Sequence, residues 1–411
     1  MVDPLIIFTI ALAASFLISE LFYRLRYPRV LGQILAGMIL GLPLIKQLIF
    51  PEGDLSAFEL LSELGIVFLL LLTGLEMNYQ KLKKVSKDAT IIAFFAAIVP
   101  FALGFVSVEI LGQFGIIPLT QVNPATGEIL VYNLHIMALV VGACLSLTSE
   151  GTNAELLMEL KVLNTKVGSV LMGAGIMDDV FEIGFLALIL TLIPGAETTQ
   201  ILFFPLELIL FTAIIYLLFK TLPRIMRFIQ RENSDVSLFT TTILIGLFVA
   251  ILSLEFGLGP IIGAFVAGVI IQLSVKDKQE ERGIVDNLKV LTLGLIVPFF
   301  FIYIGLNFDY TALLTIPLLI VIITIVATIG KILGSMLAHF FSDLSFRQTY
   351  IIGCGMNSRG AIELVIAGVA KMNNLISSEL FSAIVVMTVI TTLLFPLVLR
   401  HEIRKNPKVM S

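Results

Sequence analysis

Apolar residues fall in long runs along this chain, separated by short polar or charged stretches. Thirteen runs stand out, at residues 4–23, 30–49, 58–76, 89–113, 133–158, 166–194, 200–220, 236–254, 259–275, 286–306, 310–341, 347–370 and 377–400. A helix that crosses a bilayer needs roughly 20 mostly apolar residues. The pattern therefore predicts an all-α polytopic membrane protein with about 13 transmembrane helices. Basic residues cluster in alternate connections: Arg24, Arg26 and Arg29; Lys81 to Lys87; Lys161 and Lys166; Lys220 to Arg231; Lys276 to Lys289; Arg347; and Arg400 to Lys408. The other connections hold only Lys46 and Lys371. By the positive-inside rule this places the N-terminus outside and the C-terminus in the cytoplasm, in agreement with an odd number of spans.

Val30-Leu-Gly-Gln-Ile-Leu-Ala-Gly-Met-Ile-Leu40 aligns with Ile261-Ile-Gly-Ala-Phe-Val-Ala-Gly-Val-Ile-Ile271, an offset of 231 residues from Val30 to Ile261. Gly74-Leu75 matches Gly305-Leu306 at the same offset. The copies lie an odd number of spans apart, so they face opposite ways. An inverted repeat of this kind is a common plan of secondary transporters, with the site near the midplane. Two runs in equivalent places are interrupted by polar, Gly-bearing breaks, at Thr148-Ser-Glu-Gly-Thr-Asn153 and at Gly353-Cys-Gly-Met-Asn-Ser-Arg-Gly360. In hydrocarbon, unwound backbone survives only where it is packed in protein or lines a wet cavity. These runs are expected to be broken, crossing helices whose free ends face an ion.

The charges inside the runs are few. Asp178 and Asp179 sit together near the middle of the 166–194 run. An ionised carboxylate there costs at least about 2.5–3.5 kcal/mol on insertion scales, and such acids usually face the protein interior and do work. The adjacent pair is read as the place where a cation or a proton binds and is released. Glu182 follows Asp178 by four residues and Asp179 by three, one helical turn away. It is a candidate third titrating acid, a partner for Arg359, or a packing acid hydrogen-bonded to its neighbours. Lys331 lies deep in the 310–341 run and is the natural counter-charge to Asp178 or Asp179, since a buried lysine keeps its proton beside a carboxylate. Glu150 and Arg359 are charges inside the two breaks. They either offset half-helix dipoles or, for Arg359, pair with Glu363 four residues on.

Composition narrows the field. The 411 residues are 58% hydrophobic and 14% charged, which no soluble domain of this size matches. Cys144 and Cys354 fall inside apolar runs and are read as small buried residues, not a disulfide. With 3 His and 2 Cys there is no basis for a metal cluster. No basic segment precedes the first apolar run, so a cleaved signal peptide is not expected. No Walker or Rossmann glycine motif occurs, which disfavours ATP-driven pumping, and no cofactor or nucleic-acid partner is expected.

Several stretches together resemble the monovalent cation–proton antiporter superfamily, in the branch that holds prokaryotic sodium/proton and potassium/proton exchangers. They are Leu64-Gly-Ile-Val-Phe-Leu-Leu-Leu-Leu-Thr-Gly-Leu-Glu76, Thr148-Ser149, Asp178-Asp179, Pro298-Phe-Phe-Phe-Ile-Tyr-Ile-Gly-Leu306, Gly330-Lys331 and Asn357-Ser-Arg-Gly-Ala-Ile-Glu363. The resemblance implies Na+ (or Li+) exchange for H+ by an elevator-like movement, in a homodimer in a prokaryotic plasma membrane. It implies that 89–200 and 310–400 form a mobile ion-binding core. It makes 24–88 and 224–309 a dimerising panel, 1–23 an added N-terminal helix, 201–223 a linking helix and 401–411 a cytoplasmic tail. By the same likeness Asp179 carries the ion or proton, with Asp178 beside it at the Na+ site and paired to Lys331. Thr148 and Ser149 help coordinate the ion. A double aspartate with this lysine goes with electrogenic exchange of more protons than sodium ions. Glu150 and Glu182 depart from the family pattern, where those places are usually uncharged. The absence of a cytosolic nucleotide-binding domain speaks against the regulated potassium-efflux members.

Rival readings remain on the sequence. A K+/H+ or broad monovalent-cation exchanger differs only in ion choice, and a sodium-coupled symporter or a membrane sensor would use the same fold. A channel needs a continuous pore with a repeated selectivity element, and neither is present. Intramembrane proteases also use paired aspartates, but from two helices. Adjacent residues on one helix point about 100° apart, which suits a shared catalytic water poorly.

Overall fold

The computed structural model describes residues 4–49, 56–77, 85–122, 129–191, 210–224, 235–275, 278–405 and 407–410. Helices dominate. Seven are long and apolar enough to cross a bilayer: Leu5–Arg24, Ser56–Glu76, Lys87–Gln113, Val236–Glu255, Arg282–Leu306, Pro317–Phe340 and Ser378–Lys405. Lys166–Thr191 has the length, 26 residues or roughly 39 Å at about 1.5 Å per residue, but carries Asp178, Asp179 and Glu182. Leu134–Ser146 and Pro260–Ser274 are shorter apolar helices, and a further helix covers 210–224. The chain is a mostly helical, multi-pass membrane protein.

Several elements depart from the sequence pattern, each for a local reason. The run expected as one span at 30–49 is two helices, Arg29–Gly41 and Pro43–Ile49, bent by 82°. Pro43 cannot donate to the turn behind it and starts a new helix instead. Within Arg282–Leu306 the helix widens to a π turn over Thr292–Ile296, just ahead of Pro298, which has no N–H to give to the preceding turn. The fold is not wholly α. Thr120–Val122 and Ile129–Val131 form a two-stranded antiparallel ribbon with Thr120 opposite Val131, built from β-branched residues that suit a pleated pair. The last helix runs past 400 to Lys405. The stretch read as a tail then makes a 3-10 turn, Pro407–Met410. Met410 is 1% exposed within an apolar cluster that includes Leu157, Leu171 and Leu399.

The chain divides into two compact units, one within 1–18, 32–78 and 194–306, the other within 19–31, 79–193 and 307–411. In the first, one close backbone contact is made twice. Gly37 packs on the backbone of Ile302, and Gly305 on Ile34, Gly37 and Met38. Likewise Gly268 packs on Leu71 and Gly74, and Gly74 on Phe265 and Val269. Each residue of one set lies 231 positions from its counterpart in the other, as Gly37 does from Gly268.

In the second unit Lys87–Gln113 is the scaffold. Its Gly104 meets Gly142 of Leu134–Ser146, while its Phe95, Ala96 and Pro100 meet Gly334 and Gly330 of Pro317–Leu337. Glycine lets these helices approach backbone to backbone, and Lys331 rides on the second of them. Gly334→Val should therefore lower thermal stability clearly. Overpacking costs about 1–3 kcal/mol, and a Cβ here would meet the backbone of Phe95. Gly184→Ala meets nothing within 4 Å and should be neutral or slightly stabilising. Melting curves of the two purified variants check both outcomes.

Candidate functional site

The site grows from two interrupted helices in the second unit. Leu134–Ser146 stops where Leu147 turns extended, with φ −85° and ψ 156°, and Glu150–Glu159 starts after Ser149. Phe346–Gly355 stops at Met356, and Ala361–Met372 starts after Gly360. Both breaks are shorter than the polar stretches in the sequence. Residues 151–153 belong to the helix after the first break, and 353–355 to the helix before the second.

The breaks satisfy one another. Ser149 N–H donates to Ser358 O at 2.7 Å. Thr148 Oγ1 donates to Met356 O at 3.0 Å, and Asn153 Nδ2 to Gly355 O at 2.9 Å. Gly360 faces Ser149, where an added Cβ would come to 3.2 Å of the serine Cβ. Asn357 Nδ2 turns back to Gly353 O at 2.9 Å, so it caps its own helix end. A helix end leaves its last carbonyls without intrahelical donors, and here side chains supply them.

Two buried cations complete the first break. Arg359 Nη1 donates to the carbonyls of Cys144 at 3.1 Å, Leu145 at 2.8 Å and Leu147 at 2.7 Å. Lys331 Nζ donates to Ser146 O and, at 2.6 Å, to Thr148 Oγ1. The four consecutive carbonyls from Cys144 to Leu147 thus all face side-chain cations. These are the negative end of a helix dipole, where a cation is favourable. For Arg359 the sequence offered two roles, and the structure gives it both geometries. Besides the carbonyls, its Nε lies 3.9 Å from Glu363 Oε2. Glu363 Oε1 in turn accepts from Thr388 Oγ1 at 2.7 Å.

Asp178 points into this same place. It is 1% exposed, and its Oδ2 lies 3.7 Å from Lys331 Nζ. Neither of its oxygens accepts a hydrogen bond among the described residues. Asp179 follows, half-buried. Glu182, one turn on, is 4% exposed and faces Asp179, Asp178, Lys331 and the backbone N–H of Thr148. The structure thus brings together Thr148, Asp178, Asp179, Glu182, Lys331 and Arg359. Ser149 stands at the head of Glu150–Glu159 without a side-chain cap bond. The side chain of Glu150 lies outside the described residues. Both cysteines are free and buried.

Sequence reasoning gave no part to Asn153, Asn357 or Thr388. Asn153 and Asn357 lie in or beside the breaks, and an amide next to free carbonyls is a signal that could have been used. Thr388 had none, because nothing in the 377–400 run marks which hydroxyl meets Glu363.

The family model described as "Sodium/hydrogen exchanger, transmembrane" matches residues 9–402. A protein named Na(+)/H(+) antiporter from Enterococcus hirae is 30% identical over 405 residues, covering 97% of this chain and 98% of that protein. The Na(+)/H(+)-K(+) antiporter GerN of Bacillus cereus is 26% identical over 404 residues, with 97% and 96% covered. The solved structure of the sodium proton antiporter MjNhaP1 from Methanocaldococcus jannaschii at pH 8 shares the fold at a TM-score of 0.63, with 17% identity over 97% of this chain and 95% of that one. A match across nearly the whole length, over residues that include both breaks and the buried charges between them, places this chain in the transmembrane sodium/hydrogen exchanger family.

Proposed function

We propose that this chain is a secondary antiporter that exchanges Na+ or Li+ for H+ across the membrane. The observation that carries the reading is the Asp178-Asp179 pair where two broken helices meet, with Asp178 buried and 3.7 Å from Lys331. Oxygen ligands suit a hard monovalent cation, and Thr148, Ser149 and the two aspartates supply them. The names of the Enterococcus hirae and Bacillus cereus relatives support cation/proton exchange, and the second, which includes potassium, favours K+/H+ or broad monovalent-cation exchange as the alternative.

Exchange follows from competition for one carboxylate. Asp179 holds either a proton or a cation. Emptied of both, it carries a net negative charge, and moving that charge through an apolar barrier costs several kcal/mol. Binding either partner offsets that penalty and permits the move, so the two ions alternate. A high proton concentration keeps sodium off the site, so transport rises with pH until the carboxylate is fully deprotonated.

The wider arrangement belongs to the same proposal. Thirteen spans with an inverted repeat are supported by the contact set that recurs at 231 residues. The unit that holds the site carries the ion in an elevator-like movement, and the 24–88 and 224–309 helices form the dimerising panel of a homodimer. The protein sits in a prokaryotic plasma membrane with its N-terminus outside and its C-terminus in the cytoplasm, as the segregation of basic residues supports.

Two measurements test this. In proteoliposomes with an internal pH dye, sodium should drive proton movement in the wild type and not in Asp179→Asn. An equal response to potassium would select the broad-cation alternative, and silence toward both from folded protein would refute exchange. The second concerns charge balance. If sodium breaks the Asp178–Lys331 pair and the lysine then releases a proton, Lys331→Gln should lose electrogenic exchange. Full electrogenic transport by that variant would contradict the role given to Lys331. Removing one partner of a buried pair costs about 3–5 kcal/mol, so its folding is verified first by melting.

A further inference from the structure

We propose that Glu182 is a direct ligand of the transported cation, a second carboxylate that works beside Asp179 and sets ion preference. The inference rests on the exchanger reading above and extends it to a residue that reading does not need.

Three roles were open to Glu182, and the geometry separates them. A pairing with Arg359 is not made among the described residues: the carboxylate within 4 Å of the guanidinium is that of Glu363, whose Oε2 lies 3.9 Å from Nε, and Nη1 is directed at three carbonyls. A packing acid is hydrogen-bonded to its neighbours, and the Thr148 N–H is one such neighbour, but a single neutral donor does not balance the charge of a carboxylate. Among the described residues Glu182 has no ion pair, because Lys331 lies within 4 Å of Asp178 instead. What surrounds Glu182 is the ion site itself. Its own helix presents Asp178 and Asp179. Pro317–Leu337 presents Lys331, the first break presents the Thr148 N–H, and Arg359 stands further off. A carboxylate that is 4% exposed in such company is strongly unfavourable unless it takes up a proton or a positive charge is added.

A second observation points to a ligand. Asp178 is 1% exposed, yet neither of its oxygens accepts a hydrogen bond among the described residues. The nearest hydroxyl cannot supply one, since Thr148 Oγ1 gives its proton to Met356 O and accepts from Lys331. Buried polar atoms are nearly always satisfied, and exceptions call for an absent water or ion. The oxygens of Asp178 that accept no hydrogen bond and the carboxylate of Glu182 lie one helical turn apart on one helix. A monovalent cation bound between that turn and Thr148 would answer both.

Two carboxylates make a stronger anionic field than one. A strong field favours a small cation over a large one, because the number and strength of coordinating oxygens govern such selection. Glu182 is thus expected to raise affinity for Na+ and Li+ more than for K+.

The test uses full-length protein in proteoliposomes and in detergent. Glu182→Gln keeps shape and removes charge. It should raise the half-saturating sodium concentration about tenfold, equivalent to about 1.4 kcal/mol, with a much smaller fall in maximal rate. It should also narrow the preference for sodium over potassium. Glu182→Asp, which restores the charge on a shorter arm, should fall between the two. In detergent, added NaCl should raise the melting temperature of the wild type, relative to choline chloride, and do so less for Glu182→Gln. An unchanged sodium half-saturation in folded Glu182→Gln overturns the proposal. If that variant does not fold, an unchanged half-saturation in Glu182→Asp overturns it. If the wild type moves no protons with any cation, it is the exchanger reading that fails. The sodium-dependent melting shift then decides the fate of Glu182 by itself.

Discussion

A helix broken inside a membrane protein leaves carbonyl groups without intrahelical donors, and the second unit is arranged around that problem. The carbonyls of Cys144, Leu145, Ser146 and Leu147 have lost their intrahelical donors. Two side-chain cations, Arg359 and Lys331, take all four. Burying those cations then creates the need for acids. Glu363 lies against Arg359, and Asp178 against Lys331. The second break brings Arg359 to the first, while the close packing of Gly330 and Gly334 on Lys87–Gln113 brings Lys331. Backbone satisfaction, helix packing and charge placement are one connected requirement.

That requirement also explains why ions can be moved here at all. A lysine tied to a carbonyl, a hydroxyl and a carboxylate is held in place by several partners, not by one tight ion pair. Its distance to Asp178, 3.7 Å, is longer than a charge-assisted hydrogen bond. An arriving cation has to displace only part of this arrangement. A fully satisfied Asp178 would be a structural residue, whereas one whose oxygens accept no hydrogen bond among the described residues is ready to accept a ligand.

The broad architecture was legible because hydrocarbon imposes it. Long apolar runs and polar breaks each follow from the cost of exposing charge or backbone to lipid. The pairing of Lys331 with one of two adjacent aspartates was legible for the same reason; the family likeness named Asp178, which lies 3.7 Å from Lys331. Other features left weaker traces. Pro43 and Pro298 were visible, yet a proline alone does not say whether a helix bends, as at Gly41–Pro43, or widens, as at Thr292–Ile296. The carbonyl partners of Arg359 were not legible, since backbone acceptors have no residue signature. For Glu182 the one-turn spacing gave its neighbourhood, but two buried bases were available on paper. Only their other commitments decide which carboxylates they serve.

The central claim is that sodium and protons compete for the same buried carboxylates. It is tested most directly by adding NaCl to purified protein in weakly buffered detergent solution and recording the pH, with choline chloride as the control. The account expects sodium binding to expel protons, to a larger extent at mildly acidic pH, where the site starts protonated, and to a negligible extent in Asp179→Asn. Sodium binding with no proton release at any pH, from protein shown to be folded, would contradict it.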